Sequence, residues 1–128
     1  MGKKIKLLIV DDDIKIIKLM QTVLGNDKFD ITTRLNADNI IKDIKKNSPD
    51  IVLLDIKLPG TSGVEAIHLI KEDNSINTIP IVAFTSYSMK GDKDKFLKMG
   101  YDGYIAKPID TRTITEQIKE YLKINNKS

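Results

Sequence analysis

Ile51-Val52-Leu53-Leu54 is a run of four apolar residues without polar alternation, and it leads directly into Asp55 ahead of a Pro59-Gly60 turn. A half-exposed strand alternates apolar and polar side chains, whereas an unbroken aliphatic run needs cover on both faces. Two covered faces mean a parallel sheet between helix layers, because parallel crossovers lay helices on the sheet. Asp55 then stands where a covered strand meets solvent. In open α/β sheets ligands bind outside the carboxyl ends of the strands, so Asp55 is the first candidate for a reactive group.

The same design recurs along the chain. Ile5 to Val10 is an apolar strand ending in Asp11-Asp12-Asp13, and Ile14 to Leu24 places Ile16, Leu19, Met20 and Val23 at helical spacing before a Gly25-Asn26 stop. Phe29 to Thr33 predicts a weaker strand centred on Ile31, and Ala37 to Lys46 a helix with Ile40, Ile41 and Ile44 on one face. Beyond the Pro-Gly turn, Val64 to Lys71 carries Ile67 and Ile70 at helical positions, and Ile79 to Thr85 is a fourth buried strand. Met89 to Met99 predicts a charged helix closed by Gly100, and Tyr101 to Ala106 a fifth strand. Asp110 is placed to cap a last helix, whose Ile114, Ile118, Tyr121 and Leu122 share a face. Five strands alternating with five helices through short loops predict a three-layer, doubly wound (βα)5 domain of the α/β class with one parallel sheet. Residues 1–128 read as one domain with its core in 5–122 and a polar tail over 123–128.

Composition removes several function classes. Cysteine is absent, which excludes a disulfide framework, a thiolate metal site and a cysteine nucleophile, and fits a reducing cytoplasm. The first apolar run, Leu7 to Val10, is too short for a signal peptide or a membrane span, so a cytoplasmic protein with no membrane partner is expected. The net charge of +3 comes from 21 basic residues mixed with 18 acids, without a helix-turn-helix or an aromatic RNA-reading motif. That pattern favours a solvated surface over a nucleic-acid interface.

In a parallel sheet the C-terminal ends of all strands lie on one edge, so Asp11, Asp12, Asp55, Thr85 and Lys107 are carried to the same side. Three carboxylates at close quarters repel, and a divalent cation that prefers oxygen ligands relieves them. Mg²⁺ fits this donor set, and Mn²⁺ shares the preference. Lys107 supplies a positive charge and Thr85 a hydroxyl, and with the cation they are suited to stabilise a phosphoryl group on Asp55. Asp13, just ahead of the first helix, is expected to cap it instead. His68, among charged neighbours, is expected to face solvent.

Four stretches, in this order and spacing, resemble a response-regulator receiver domain. They are Leu7 to Asp12, Asp50 to Gly63 around Asp55, Pro80 to Ser86 around Thr85, and Gly103 to Pro108 ending in Lys107-Pro108. The stretch from Thr85 to Asp110 resembles DivK-type single-domain regulators and the receivers of hybrid histidine kinases in particular. The resemblance covers residues 5 to about 122 and implies a flavodoxin-like sheet of order 2-1-3-4-5. It implies that Asp55 takes a phosphoryl group from the phosphohistidine of a histidine kinase or a histidine phosphotransfer domain. It further implies that Asp11, Asp12, Asp55 and the backbone carbonyl of Lys57 hold Mg²⁺, and that Thr85 and Lys107 contact the phosphoryl oxygens. Lys107-Pro108 is then expected to be a cis peptide. Ser86 stands where the family usually has alanine.

On the same resemblance Thr85 and Tyr104 form the switch, and Lys57 and Tyr87, two residues beyond Asp55 and Thr85, set the lifetime of the acyl phosphate. The output surface is expected on the face of the fourth helix, fifth strand and fifth helix, presented to a downstream protein or a weak dimer partner. With no output domain in the chain, partner binding is the expected route of action, whether as a whole regulator, as a phosphorelay intermediate or as the receiver of a hybrid kinase. Ile14 and Ile17 lie off the centre of the first helix's apolar stripe and offer a dock for phosphodonor helices. Two enzyme-like or cofactor-binding alternatives fit less well. Aspartyl phosphohydrolases of the haloacid dehalogenase type want a second acid two residues after the nucleophile, where this chain has Lys57; a dinucleotide fold wants Gly-x-Gly-x-x-Gly after its first strand, where this chain has three acids. The expectation is therefore a signalling module rather than a turnover enzyme.

Overall fold

The computed structural model describes residues 4–86 and 92–125. Its elements are β1 (Ile5–Val10), α1 (Ile14–Leu24), β2 (Phe29–Arg34), α2 (Ile40–Asn47), β3 (Ile51–Leu54), α3 (Gly63–Glu72), β4 (Ile81–Thr85), α4 (Asp92–Met99), β5 (Gly103–Ala106) and α5 (Ile114–Asn125). All five strands pair in parallel, in the order β2-β1-β3-β4-β5. The expected three-layer α/β architecture and its strand order are both present.

Side chains of alternate strand residues build two separate cores, which explains why the central strands lack polar alternation. Leu8, Val10, Val52, Leu54, Ile81 and Ala83 pack with Ile40 and Ile44 of α2, Ala66, Ile67 and Ile70 of α3, and Phe96 of α4. Leu7, Ile9, Leu53, Val82, Phe84 and Ile105 face the opposite way, onto Ile17 and Met20 of α1 and Ile114 and Ile118 of α5. Every residue of β3 and β4 is buried.

The apolar face of α1 differs from its expected one. Ile17, Met20 and Leu24 are buried, Ile16 and Val23 only partly, and Leu19 is 39% exposed. The helix is apolar at 14, 16, 17, 19, 20, 23 and 24, so two overlapping stripes fit the spacing, and contact with the sheet selects the one through Ile17. Ile14, at 52% exposure, keeps its outward position, but Ile17 is core and cannot serve as a dock.

Among the described residues three boundaries move by two residues or more. Ile79 belongs to the turn before β4, its N–H donating to the Ile76 carbonyl. Ala37 precedes α2 and its carbonyl accepts the Ile40 N–H. Tyr101 and Asp102 belong to the connection before β5: the Tyr101 N–H closes the end of α4 on the Phe96 carbonyl, and the Asp102 carboxylate accepts the Ile81 N–H at 2.7 Å and the Lys71 ammonium at 3.2 Å. The expected first turn of α4, Met89 to Gly91, lies outside the described residues. Asp110 stands four residues ahead of α5, its carboxylate accepting the Arg112 N–H of the intervening turn and its carbonyl the N–H of Ile114, the first residue of the helix.

The free edge of β5 is covered from α5. The Tyr121 hydroxyl donates to the Tyr104 carbonyl at 3.0 Å and accepts the Tyr104 N–H at 3.3 Å, so one side chain satisfies both outward-facing groups of that residue. The ring lies so close to Gly103 that a Cβ there would overlap it.

The reassigned α1 face gives a direct test. Ile17→Ala should cost about 2–4 kcal/mol in urea unfolding, the usual range for truncating a core aliphatic, whereas Leu19→Ala should cost less than about 1 kcal/mol.

Candidate functional site

Strand ends bring the polar groups together by main-chain hydrogen bonds that carry the ladder one residue past each strand. The Asp11 N–H donates to the Arg34 carbonyl and the Asp55 N–H to the Val10 carbonyl, each at 3.0 Å. The Lys107 N–H donates to the carbonyl of Thr85, the last residue of β4, at 2.8 Å. Asp11 is fully buried, Asp55 is 8% exposed and Thr85 is 1% exposed, while Asp12 faces solvent between them. The Lys107-Pro108 peptide is cis, as the family resemblance implies.

The Lys107 ammonium is the centre of the cluster. It lies 2.5 Å from Asp11 Oδ2 and 3.3 Å from Asp55 Oδ2, with the Phe84 ring beneath it at 4.9 Å. Burial works against its charge, but the hydrogen bond to Asp11 and the charges of Asp55 and Asp11 more than compensate, and its proton affinity rises above the ordinary lysine value. Burial pushes the Asp55 carboxyl up. Lys107 and the Lys57 N–H, which donates to Asp55 Oδ1 at 3.3 Å, pull it down, and the charge of Asp11 adds to the rise. The net direction is upward, so Asp55 is a more basic carboxylate than an exposed one.

Asp11, Asp12 and Asp55 each bring a carboxylate oxygen within 4.8 Å of the other two. Among the described residues the Lys107 ammonium pairs with two of these acids, and the three carboxylates together make an all-oxygen donor set that fits a hard divalent cation. Asp13 is set apart from this group. Its N–H donates to Asp11 Oδ1 and its own carboxylate accepts the Lys15 N–H, so it is the cap of α1 that its position predicts.

Several residues near the site escape a reading of the sequence. Asp38, in the connection after β2, accepts the Thr61 N–H at 3.0 Å and stands against Gly60, and so ties down the turn that follows Asp55. Gly63 opens α3 directly beneath Asp55, where any Cβ would overlap the Asp55 carbonyl oxygen and the Ile56 Cα. Tyr101 is buried with its hydroxyl beside Gly63, and burial together with the charge of Asp55 holds its phenol well above the ordinary value, so it stays protonated. Only a turn glycine signalled any of this. Of the remaining expected residues, Tyr104 is half-buried with its ring 5.5 Å from that of Phe96, and His68 is exposed and paired with Glu72. Tyr87 lies outside the described residues.

Residues 7–119 match the response regulator receiver domain. The chain belongs to that family. The polar-differentiation response regulator DivK of Brucella anthropi is 32% identical over 116 residues, covering 91% of this chain and 94% of that protein. Among solved structures, a response regulator from Chloroflexus aurantiacus superposes with a TM-score of 0.86 at 26% identity, covering 94% of this chain and 99% of that one. A CheY-like receiver domain protein from Methanospirillum hungatei gives 0.83 at 27% identity, covering 98% of each. The receiver is thus a two-component signalling module with an acidic cluster suited to a metal ion. Among the described residues no helix is long and apolar enough to cross a membrane.

The acidic cluster makes a thermal prediction for this receiver. Mg²⁺ at a hundredfold excess over its Kd should add about 2.7 kcal/mol of stability, read as a rise in melting temperature over the EDTA-treated protein. Asp12→Asn should lose most of the rise, and Asp13→Asn, which keeps a capping side chain, should retain it.

Proposed function

We propose that Asp55 accepts a phosphoryl group from a phosphohistidine of a histidine kinase or a histidine phosphotransfer domain, and that the modified receiver changes its protein partners. The observation that carries this reading is the Asp11–Lys107–Asp55 cluster: a basic carboxylate at the end of a buried strand, with a fixed ammonium against one of its oxygens. Asp55 attacks phosphorus, the P–N bond to the donor imidazole breaks, and a P–O bond to the carboxylate forms. Later attack by water at phosphorus returns the carboxylate and releases inorganic phosphate. Lys107 faces the new oxygens with its charge, and the hydroxyl of Thr85 supplies a hydrogen bond to them. Asp11, Asp12, Asp55 and the Lys57 carbonyl are the groups that would hold Mg²⁺, which when bound neutralises phosphoryl charge.

Switching follows from the added charge, roughly −1.5 to −2 at pH 7. Thr85 is drawn to the phosphoryl oxygens and the half-buried Tyr104 ring turns into the space it leaves. The surface of α4, β5 and α5 then changes, and a downstream protein or a second copy of the receiver binds there. On the cytoplasmic reading no membrane or nucleic acid takes part directly.

Intact mass after incubation with acetyl phosphate and Mg²⁺ should rise by one phosphoryl group in the wild type and not in Asp55→Ala. The half-life of the added mass should shorten in Tyr87→Ala if that ring shields the acyl phosphate from water. No mass gain from acetyl phosphate or from any of a panel of histidine kinases would overturn the reading. Beryllofluoride, a phosphoryl mimic, should move amide resonances along β5 and α5 as well as at the site; shifts confined to the site would remove the switch.

A further inference from the structure

Tyr101 carries a buried hydroxyl that neither the fold nor the phosphoryl chemistry described above uses. The residue is 2% exposed, and its ring packs edge-on against Phe96, centroids 6.3 Å apart at 78°, on the α3/α4 side of the sheet. Its hydroxyl lies at the turn that joins β3 to α3, 2.8 Å from the point where a Cβ on Gly63 would stand, and the Asp55 carbonyl oxygen lies 2.4 Å from that same point. Among the described residues this hydroxyl has no hydrogen-bond partner. Buried hydroxyls are almost always paired, and leaving one unpaired costs stability. Phenylalanine would fill the same space without that cost, so the oxygen calls for a use.

We propose that Tyr101 is a positioning residue of the Asp55 site, unpaired in the unmodified protein and donating to the Asp55 main-chain carbonyl once a phosphoryl group is in place. This rests on Asp55 being the phosphoacceptor. The protonated phenol is a donor, and the carbonyl beside it has lone pairs to accept. Added charge on the Asp55 side chain pulls on Lys107 and on the β3–α3 turn, and because the hydroxyl and the carbonyl oxygen both lie against the same point at Gly63, a movement of that turn brings them within hydrogen-bond distance. Tyr101 also touches the same Phe96 ring that Tyr104 touches, at 6.3 Å and 5.5 Å. The hydroxyl therefore joins the backbone of the modified residue to the aromatic group on α4 that packs on the switch tyrosine.

Tyr101→Phe removes the oxygen and keeps the ring. In the unmodified protein its melting temperature should equal or exceed that of the wild type. Its affinity for beryllofluoride in the presence of Mg²⁺ should fall roughly three- to tenfold, the range for one neutral hydrogen bond, while its affinity for Mg²⁺ alone stays within about twofold of the wild type. Unchanged beryllofluoride affinity would overturn the proposal. So would a lower melting temperature of the unmodified variant, which would show the hydroxyl already paired, or an equal loss of Mg²⁺ affinity, which would show a general structural effect. A wild type that binds no beryllofluoride would instead sink the phosphoacceptor reading itself.

Discussion

A single ammonium held between two carboxylates sets the geometry on which the site depends. Asp11 is fully buried, and an unpaired charge there would be strongly destabilising. Lys107 resolves this by placing its Nζ against Asp11 and, on the same side, against Asp55. Removing Lys107 would therefore do more than delete a charge from the chemistry; it would leave a carboxylate in the core without compensation. The lysine in turn is fixed by its own N–H on the Thr85 carbonyl and by the Phe84 ring under its ammonium. Asp55, the hydroxyl-bearing strand end and the ammonium are thereby held in one unit.

Among the described residues that unit keeps carboxylate oxygens open to a cation. The two Lys107 contacts occupy one oxygen of each carboxylate, and the Lys57 N–H occupies Asp55 Oδ1 only weakly at 3.3 Å. Asp12 stays in solvent. The arrangement suits a site that must take up a cation from water without a large rearrangement, since the exposed ligand can come to the ion while the buried ones stay put. The upward push on the Asp55 carboxyl fits the same picture: a carboxylate poorly stabilised by its surroundings gains more than an exposed one from reaction with an electrophile or from a metal ion.

The strands that carry this site were legible because burial on both faces leaves a direct mark, a run such as Ile51 to Leu54 with no polar interruption. Asp11, Asp55, Thr85 and Lys107 follow from those runs once the sheet is parallel. The face of α1 was not legible, since seven apolar positions in eleven allow two stripes and only contact with Leu7 and Ile9 chooses between them. The start of β5 is not legible for a different reason. Tyr101 extends an aromatic and apolar run, but the Asp102 carboxylate is taken by the Ile81 N–H from another strand, and such a contact across 21 residues leaves no local periodicity. Asp38 and the hydroxyl of Tyr121 leave no sequence signal for the same cause, each acting on a segment distant in sequence.

Tyr121 bears on the switch proposed above. Its hydroxyl holds both main-chain groups of Tyr104, and its ring is packed on Gly103 so tightly that no side chain fits between them. The backbone of β5 is thus pinned to α5 on one edge and to β4 on the other, through the Ala83–Tyr104 and Thr85–Ala106 register. Sliding the strand would break both sets of contacts at once. Turning the half-buried Tyr104 side chain breaks neither, and costs chiefly its packing against Phe96. Of the two ways β5 could respond to events at Asp55, the fold leaves side-chain rotation as the cheaper one, with the strand itself serving as a fixed axle.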